Sequence, residues 1–518
     1  FAIFAYWYFI PRAAITGADS IIVLPCQVSG SEEDRYLSEA IPRTISTQLV
    51  GVEGLETKAP PTNAEFESVG GSRDRIASLY RVQCLVIPSI SAQAGNFLLN
   101  IQLIEAKSKR LLWTKDYQGA RGSYLLMTQT AAEDLRRALR PAAAQIVLPP
   151  GMSPNSEAEL TLQKGKYFSN LYNNRHQQAD FDRALSEFKH ALDVDPKLAE
   201  AAAQIAWLYE FRFEGGEPAQ EAIPKISFWA HRAIEIDPRC GLSWAVLSIA
   251  EALAARPEKR KVVDYVLKAG YFAPHEQLAV FVGYNLCTTL ALNSALEAHR
   301  LNALYLYSGC QIAFMSFSFD RSAEGLPYVD ETLSIEPSFV CGAACKPFLL
   351  ADLGRLNEAD TLLKKAGKEI PENSYFGPFV FFAQYALALQ QGDVRASESL
   401  LNKILRWMND PKTTPLEMDN APTLLVPFMA RYGKIDAAFQ VLDRDAEAGY
   451  MLAYDWLVLD PRLGPLKRDA RFAPILAKSR QEFEDMLDVF RQARSRGEFP
   501  QYLETPLKDL LQKLGMKT

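Results

Sequence analysis

The chain has 518 residues, 48% hydrophobic and 23% charged, a balance too apolar for a disordered protein and a length that admits several domains or one long repeat array. The formal net charge is −6, so the concentrated lysine and arginine field that a phosphate backbone demands is missing, and a nucleic-acid surface is excluded as the main business of the chain. The seven cysteines are odd in number, and no Cys-x-x-Cys pair occurs among Cys26, Cys84, Cys240, Cys287, Cys310, Cys341 and Cys345; they read as small buried hydrophobes rather than a disulfide framework or a zinc site.

The first element is "FAIFAYWYFIPRAA", residues 1–14, which opens with ten apolar or aromatic residues before Pro11 and Arg12. Ten residues make a helix of about 15 Å, half a bilayer core, and the stretch lacks the charged start of a signal peptide. Residues 1–12 therefore read as the end of a transmembrane helix, with Tyr6, Trp7 and Tyr8 in the interfacial aromatic belt and a linker at 13–19. The alternative is a buried amino-terminal strand.

Residues 20–140 have an α/β texture. "SIIVLPC" (20–26) is a buried-strand run closed by a proline. "YLSEAIPRTISTQLV" (36–50) has helical spacing at Leu37, Ile41, Ile45 and Leu49, and "DRIASLYRV" (74–82) predicts a second short helix. "QCLVIPSIS" (83–91), "FLLNIQLIEA" (97–106) and "RLLWTKDYQG" (110–119) are strands joined by short turns, hence antiparallel neighbours. "TQTAAEDLRRAL" (128–139) closes the region as a helix.

The order of these pieces, with the "VLP" strand and the "LIEAKSKRLLW" hairpin, resembles the TolB-like amino-terminal domain of bacterial membrane signalling proteins. Cys26, where an aromatic is usual, and the proline inside "AIPRTIS" depart from that pattern. The resemblance implies an extracytoplasmic, periplasmic module. In such proteins it sits after one membrane helix and a cytoplasmic kinase, cyclase or DNA-binding domain, and before helical repeats. It supplies no catalytic residues.

Residues 141–159 are a proline-rich linker, and 160–458 are helical. In "ALSEFKHALDVDP" (184–196), Ala184, Phe188, Ala191 and Pro196 take positions 20, 24, 27 and 32 of a 34-residue unit, the tetratricopeptide pattern. Small residues let two helices approach, and the proline ends the second. Pro337 and Pro371 lie 34 residues apart, Pro238 and Pro274 close further units, and "YGKIDAAFQVL" (432–442) belongs to a late degenerate one. Six or seven units are expected, forming an all-α tetratricopeptide-repeat solenoid, with a capping helical segment at 459–518. There, "LDPRLGPLKRDARFAPIL" (459–476) resembles the tail that ends TolB-like plus repeat chains.

No nucleophile elbow, phosphate loop, metal-spaced histidine cluster or dinucleotide fingerprint occurs. The five histidines are scattered, so no catalytic residue, cofactor or metal is predicted. The candidate partner-binding residues are an aromatic stripe on the first helices of three consecutive units: Tyr307, Phe314 and Phe317, then Phe348, then Tyr375, Phe382 and Tyr385. Aromatic rings are favoured anchors at protein interfaces; the same stripe also fits packing within the chain. Three charge-free runs, Gln277 to Leu296, Leu301 to Phe319 and Tyr375 to Gly392, approach membrane-span length but read as repeat core. The expectation is a non-catalytic, membrane-tethered extracytoplasmic region of a signalling receptor that binds a protein or peptide partner. The alternative is a structural accessory subunit of a larger complex or homo-oligomer.

Overall fold

Strands form in the computed structural model where aliphatic residues run together or alternate, and the structure describes residues 18–93, 96–120, 123–142, 155–175, 177–214, 217–254, 258–372, 374, 376–410, 420–448 and 453–516. Two compact units result: residues 1–216, 232–239 and 300–302 make the first, and 217–231, 240–299 and 303–518 the second.

In the first unit, β1 (Ser20–Val23) and β2 (Gln27–Ser29) precede α1 (Leu37–Leu49), β3 (Glu56–Thr57), α2 (Asn63–Ser68) and α3 (Arg73–Leu79). The long strands β4 (Cys84–Gln93), β5 (Asn96–Glu105) and β6 (Leu111–Ala120) follow, and then α4 (Tyr124–Leu139). The sheet order is β3-β1-β4-β5-β6, and β2 pairs with β4 as well. The β1–β3, β1–β4 and β2–β4 pairs are parallel, whereas β4–β5 and β5–β6 are antiparallel. The predicted "SIIVLPC" run splits at Pro25 because proline has no N–H for a ladder. Ile41, Ile45, Leu135 and Leu139 pack on Ile21, Val23, Val86, Ile101 and Leu103.

Pro42 is carried inside α1, which costs the helix one hydrogen bond at the Ser38 carbonyl. The backbone N–H of Cys26 takes that carbonyl instead, at 2.8 Å. The helix α2 is not anticipated from the sequence, although Thr62 and Glu65 form a capping box there.

The helical part of this unit has α5 (Ser156–Arg175), α6 (Gln178–Val194) and α7 (Ala199–Glu214). Ala184, Phe188 and Ala191 are fully buried, and a Cβ at Gly165 would sit 2.4 Å from the Phe188 ring. The repeat spacing therefore marks the residues that let α5 and α6 close. Asn170 of α5 donates to Glu39 Oε2 at 2.8 Å, tying the first repeat to α1.

The helix α8 (Ala219–Ile236) follows. The second unit contains α9 (Gly241–Ala252), α10 (Lys259–Phe272), α11 (Gln277–Phe281), α12 (Thr288–Leu301), α13 (Leu306–Ser318) and α14 (Ser322–Ile335). It continues with α15 (Val340–Asp352), α16 (Leu356–Glu369), α17 (Gly377–Gln391) and α18 (Val394–Met408). Next come α19 (Asn420–Arg431), α20 (Ile435–Ala448), α21 (Tyr454–Leu459), α22 (Gly464–Lys467), α23 (Phe472–Ser495) and α24 (Gln501–Lys513). Helices pack as pairs, α9 with α10, α13 with α14, α15 with α16, α17 with α18 and α19 with α20. The first helices α13, α15, α17 and α19 also stack on one another in series, the arrangement of tetratricopeptide-like repeats. A Cβ at Gly325 would meet the Ala313 Cα at 2.9 Å, so α13 and α14 approach backbone to backbone there.

The chain then turns back: α23 packs on α10, where Lys259 pairs with Glu482 at 2.8 Å and Arg496 with Asp264 at 2.7 Å. Among the described residues no helix is long and apolar enough to cross a membrane. The run from Gln277 is broken at Val282–Asn285 by a 3-10 turn before α12 begins.

Candidate functional site

The first-helix face of the second unit gathers most of the predicted aromatic stripe. Phe317, Phe348 and Phe382 are fully buried, and Phe314 and Tyr385 nearly so; Tyr307 is half-buried beside Phe339, with ring centroids 5.1 Å apart. Phe314 meets Phe379 at 5.6 Å, Phe379 meets Phe382 at 6.2 Å, and Phe382 meets Trp407 at 5.4 Å. Phe317 lies 6.1 Å from Phe348 and stacks on Phe428 at 5.6 Å. The rings are enclosed by the chain's own side chains and offer little surface. Tyr375, Tyr6, Trp7 and Tyr8 lie outside the described residues.

The segment Pro461–Leu463 and α22 pack on α19 and reach the stripe at Phe317. Trp456, Leu457, Leu463, Leu466 and Phe472 share one core cluster with Phe317, Phe348 and Phe382. At its centre is Arg462. Its guanidinium lies 4.5 Å from the Phe317 ring centroid and donates to the Phe317 carbonyl. It also reaches Asp460 Oδ2 at 2.9 Å and Asp352 Oδ1 at 3.4 Å. Arg431, at the end of α19, pairs with Asp352 at 3.1 Å and with Asp320 at 3.3 Å. Ser322 donates to the other Asp352 oxygen at 2.6 Å. The first helices α13 and α15 thus present their carboxyl ends, where the helix dipole is negative, to two arginines. The Asp460 side chain accepts from the Trp456 indole at 3.1 Å and from the Arg462 N–H at 2.9 Å, which folds the Asp-Pro-Arg turn.

Sequence reasoning missed this knot. Its signal was the string "LDPRLGPLKRDARF", quoted for its resemblance but assigned no physical role. Charged residues are buried only when paired, so Asp460 and Arg462 together, set among apolar residues, are the one local hint of it.

The same tail caps a helix. Asp455, fully buried, accepts from the Thr289 N–H and from the Thr289 hydroxyl, both at 2.6 Å, at the start of α12. Burial pushes its carboxyl above the ordinary range, against these hydrogen bonds, which favour the carboxylate. The folded protein therefore holds a proton that the unfolded chain releases, and the Asp455 contribution to stability is present below the ordinary carboxylate pKa and lost as pH rises through the folded value. Asp455→Asn keeps an acceptor for Thr289 and removes the titration. The gap in urea midpoint between wild type and variant is expected to shift in favour of the variant as pH rises above about 4; a gap constant with pH refutes this account.

One trio has the order of a nucleophile, a base and an orienting acid. Ser308 Oγ is 3.2 Å from His299 Nδ1, and His299 Nε2 is 3.4 Å from Glu331 Oε1. Ser308, however, is fully buried and its hydroxyl donates to the Tyr305 carbonyl at 2.6 Å. The trio fixes an imidazole between α12, α13 and α14 and presents no attacking oxygen. Among the described residues no group of three or more His, Cys, Asp or Glu side chains is placed to hold a metal ion.

No family model matches the chain, and no curated protein does. Among solved structures, the crystal structure of the yeast Tom70 is similar to 64% of this chain over 69% of its own, with 18% sequence identity and a TM-score of 0.30.

Proposed function

We propose that this chain is the non-catalytic, extracytoplasmic interaction region of a membrane-tethered signalling receptor. A TolB-like domain follows the amino-terminal membrane segment, and the helical repeats bind a protein or peptide partner. The observation that carries the scaffold part is the serial stacking of α13, α15, α17 and α19, each paired with its own second helix. Such stacks build extended surfaces from repeated units and are used chiefly for protein recognition. The tether and the receptor role rest on residues 1–12 and on the resemblance of residues 20–140.

A second reading is favoured by one observation. The aromatic rings are buried among the chain's own side chains, with Arg462 seated over Phe317, which suits a permanent subunit of a larger assembly or a homo-oligomer, engaged through its outer surfaces, better than a groove awaiting a peptide. The two separate on purification of the native protein from mild detergent. An intact mass well above 57.9 kDa indicates an output domain and supports the receptor. A mass near that value with stoichiometric partners supports the accessory subunit. Recovery without any partner under cross-linking, at either mass, overturns both.

A further inference from the structure

The first helices α13, α15, α17 and α19 share one way of ending. Each is closed by a residue with positive φ: Asp320 at 59°, Gly354 at 74°, Gly392 at 70° and Gly433 at 71°. The residue after it donates its N–H back into the helix: Arg321 to the Ser316 carbonyl at 2.9 Å, Arg355 to Leu350 at 2.8 Å, Asp393 to Ala388 at 3.0 Å and Lys434 to Met429 at 2.8 Å. Glycine is favoured in this cap, because a Cβ crowds the backbone in the left-handed region. A Cβ at Gly354, Gly392 or Gly433 would meet nothing within 4 Å, so the turn itself asks for no side chain. Asp320 carries one there against backbone strain.

The contacts of the Asp320 carboxylate give the strain a use. It pairs at 3.3 Å with Arg431 at the end of α19, and Arg431 shares its other nitrogen with Asp352 at 3.1 Å. The Arg431 guanidinium lies 6.0 Å from the Phe428 ring centroid, and Phe428 stacks on Phe317 of α13 at 5.6 Å. Phe314 of α13 also reaches Phe379 of α17 at 5.6 Å. In an open solenoid a repeat touches only its neighbours. Here α13 meets α15, α17 and α19, so the four first helices close on one another around their aromatic rings. We propose that Asp320 is the clasp of this closure: a strained residue stands at a glycine position because its carboxylate holds Arg431 and joins the first turn of the stack to the fourth. Arg462 Nε lies 3.8 Å from the same oxygen, but Asp460 takes up its charge at 3.0 Å. The Arg431 and Asp320 side chains are 33% and 39% exposed, so salt reaches the pair. Opening it is the step that uncovers the stacked rings of Phe317 and Phe428. The clasp depends on neither the membrane tether nor the identity of a partner.

The test is a double-mutant cycle on the full chain, read by urea midpoint and amide hydrogen exchange. Asp320→Gly removes both the strain and the clasp, whereas Arg431→Gln removes the clasp and leaves the strain. Asp320→Gly is expected to lower the midpoint of the wild type. In the Arg431→Gln background, where no pair is left to lose, it is expected to raise the midpoint by about 0.2 M as the left-handed cost is relieved. Exchange at the Gly433 and Lys434 amides should quicken by about two- to fivefold in Asp320→Gly, while the Gly392 and Asp393 amides keep their wild-type rates. A rise in the wild-type background, or an equal change in the two backgrounds, overturns the proposal. Where Arg431→Gln fails to fold, Asp320→Asn decides alone, because it tolerates the same backbone and removes only the charge. It should lower the midpoint, by less in 1 M salt, where the screening length is about 3 Å; a midpoint equal to wild type, or a loss that salt does not reduce, overturns the clasp.

Discussion

Arg462→Ala is expected to destabilise the second unit by about 3–5 kcal/mol, the cost of removing one partner from a buried ion pair. The side chain is only 4% exposed, and its partner Asp460 is fully enclosed. Truncation leaves the Asp460 carboxylate with the indole of Trp456 and the residue 462 N–H but without its paired cation, and leaves Asp352 with Arg431 and the Ser322 hydroxyl. The Phe317 ring loses its cation, and the aliphatic stem of the arginine no longer fills the space above it. Arg462→Lys should recover only part of the loss. A point charge cannot reach Asp460, Asp352 and the Phe317 carbonyl together, which the planar fork does. The urea midpoint and amide hydrogen exchange across α21 and α22 read the effect. A loss below about 1 kcal/mol, the range of an exposed pair, would mean that the tail is loosely held and that the aromatic face can be vacated.

This knot separates what the sequence reveals from what it conceals. The 34-residue spacing identifies Ala184, Phe188 and Ala191 as packing positions, and all three are fully buried, because close helix approach demands small residues at fixed intervals. The hairpins of β4, β5 and β6 are legible because alternation and short turns are local signals. The contact between Arg462 and Phe317 spans 145 residues, and no periodicity encodes it. A buried arginine is spelled like a solvated one, and only its neighbours decide. The aromatic stripe is ambiguous for a related reason. Helical spacing shows that Phe314, Phe317, Phe348 and Phe382 share a face, yet an interface and a core demand the same residues there. The arginine that covers Phe317 lies 114 residues downstream of Phe348 (462 − 348), in a segment whose pattern is too short to read alone.

Phe382→Ala is the variant that distinguishes those two uses of the stripe, and a loss of about 3–5 kcal/mol in the second unit is expected. Phe382 is fully buried on α17, edge-on to Trp407 at 5.4 Å and to Phe381 at 5.1 Å. Its removal opens a void among large rings whose backbones are fixed by helix pairing, so collapse to fill it is limited and the cavity adds to the lost transfer energy. Phe382→Leu keeps most of the volume and should cost far less, below about 1.5 kcal/mol. An interface residue behaves in the opposite way. Its truncation removes a hot spot while leaving the denaturation midpoint of the isolated protein in place. Measuring the urea midpoint and partner capture on the same preparations of wild type, Ala and Leu variants therefore assigns the ring. A midpoint that falls with Ala and recovers with Leu makes Phe382 a keystone of the repeat stack, and places recognition on surfaces outside the stripe. An unchanged midpoint with lost capture would return the stripe to the partner and require the tail to leave its seat on binding.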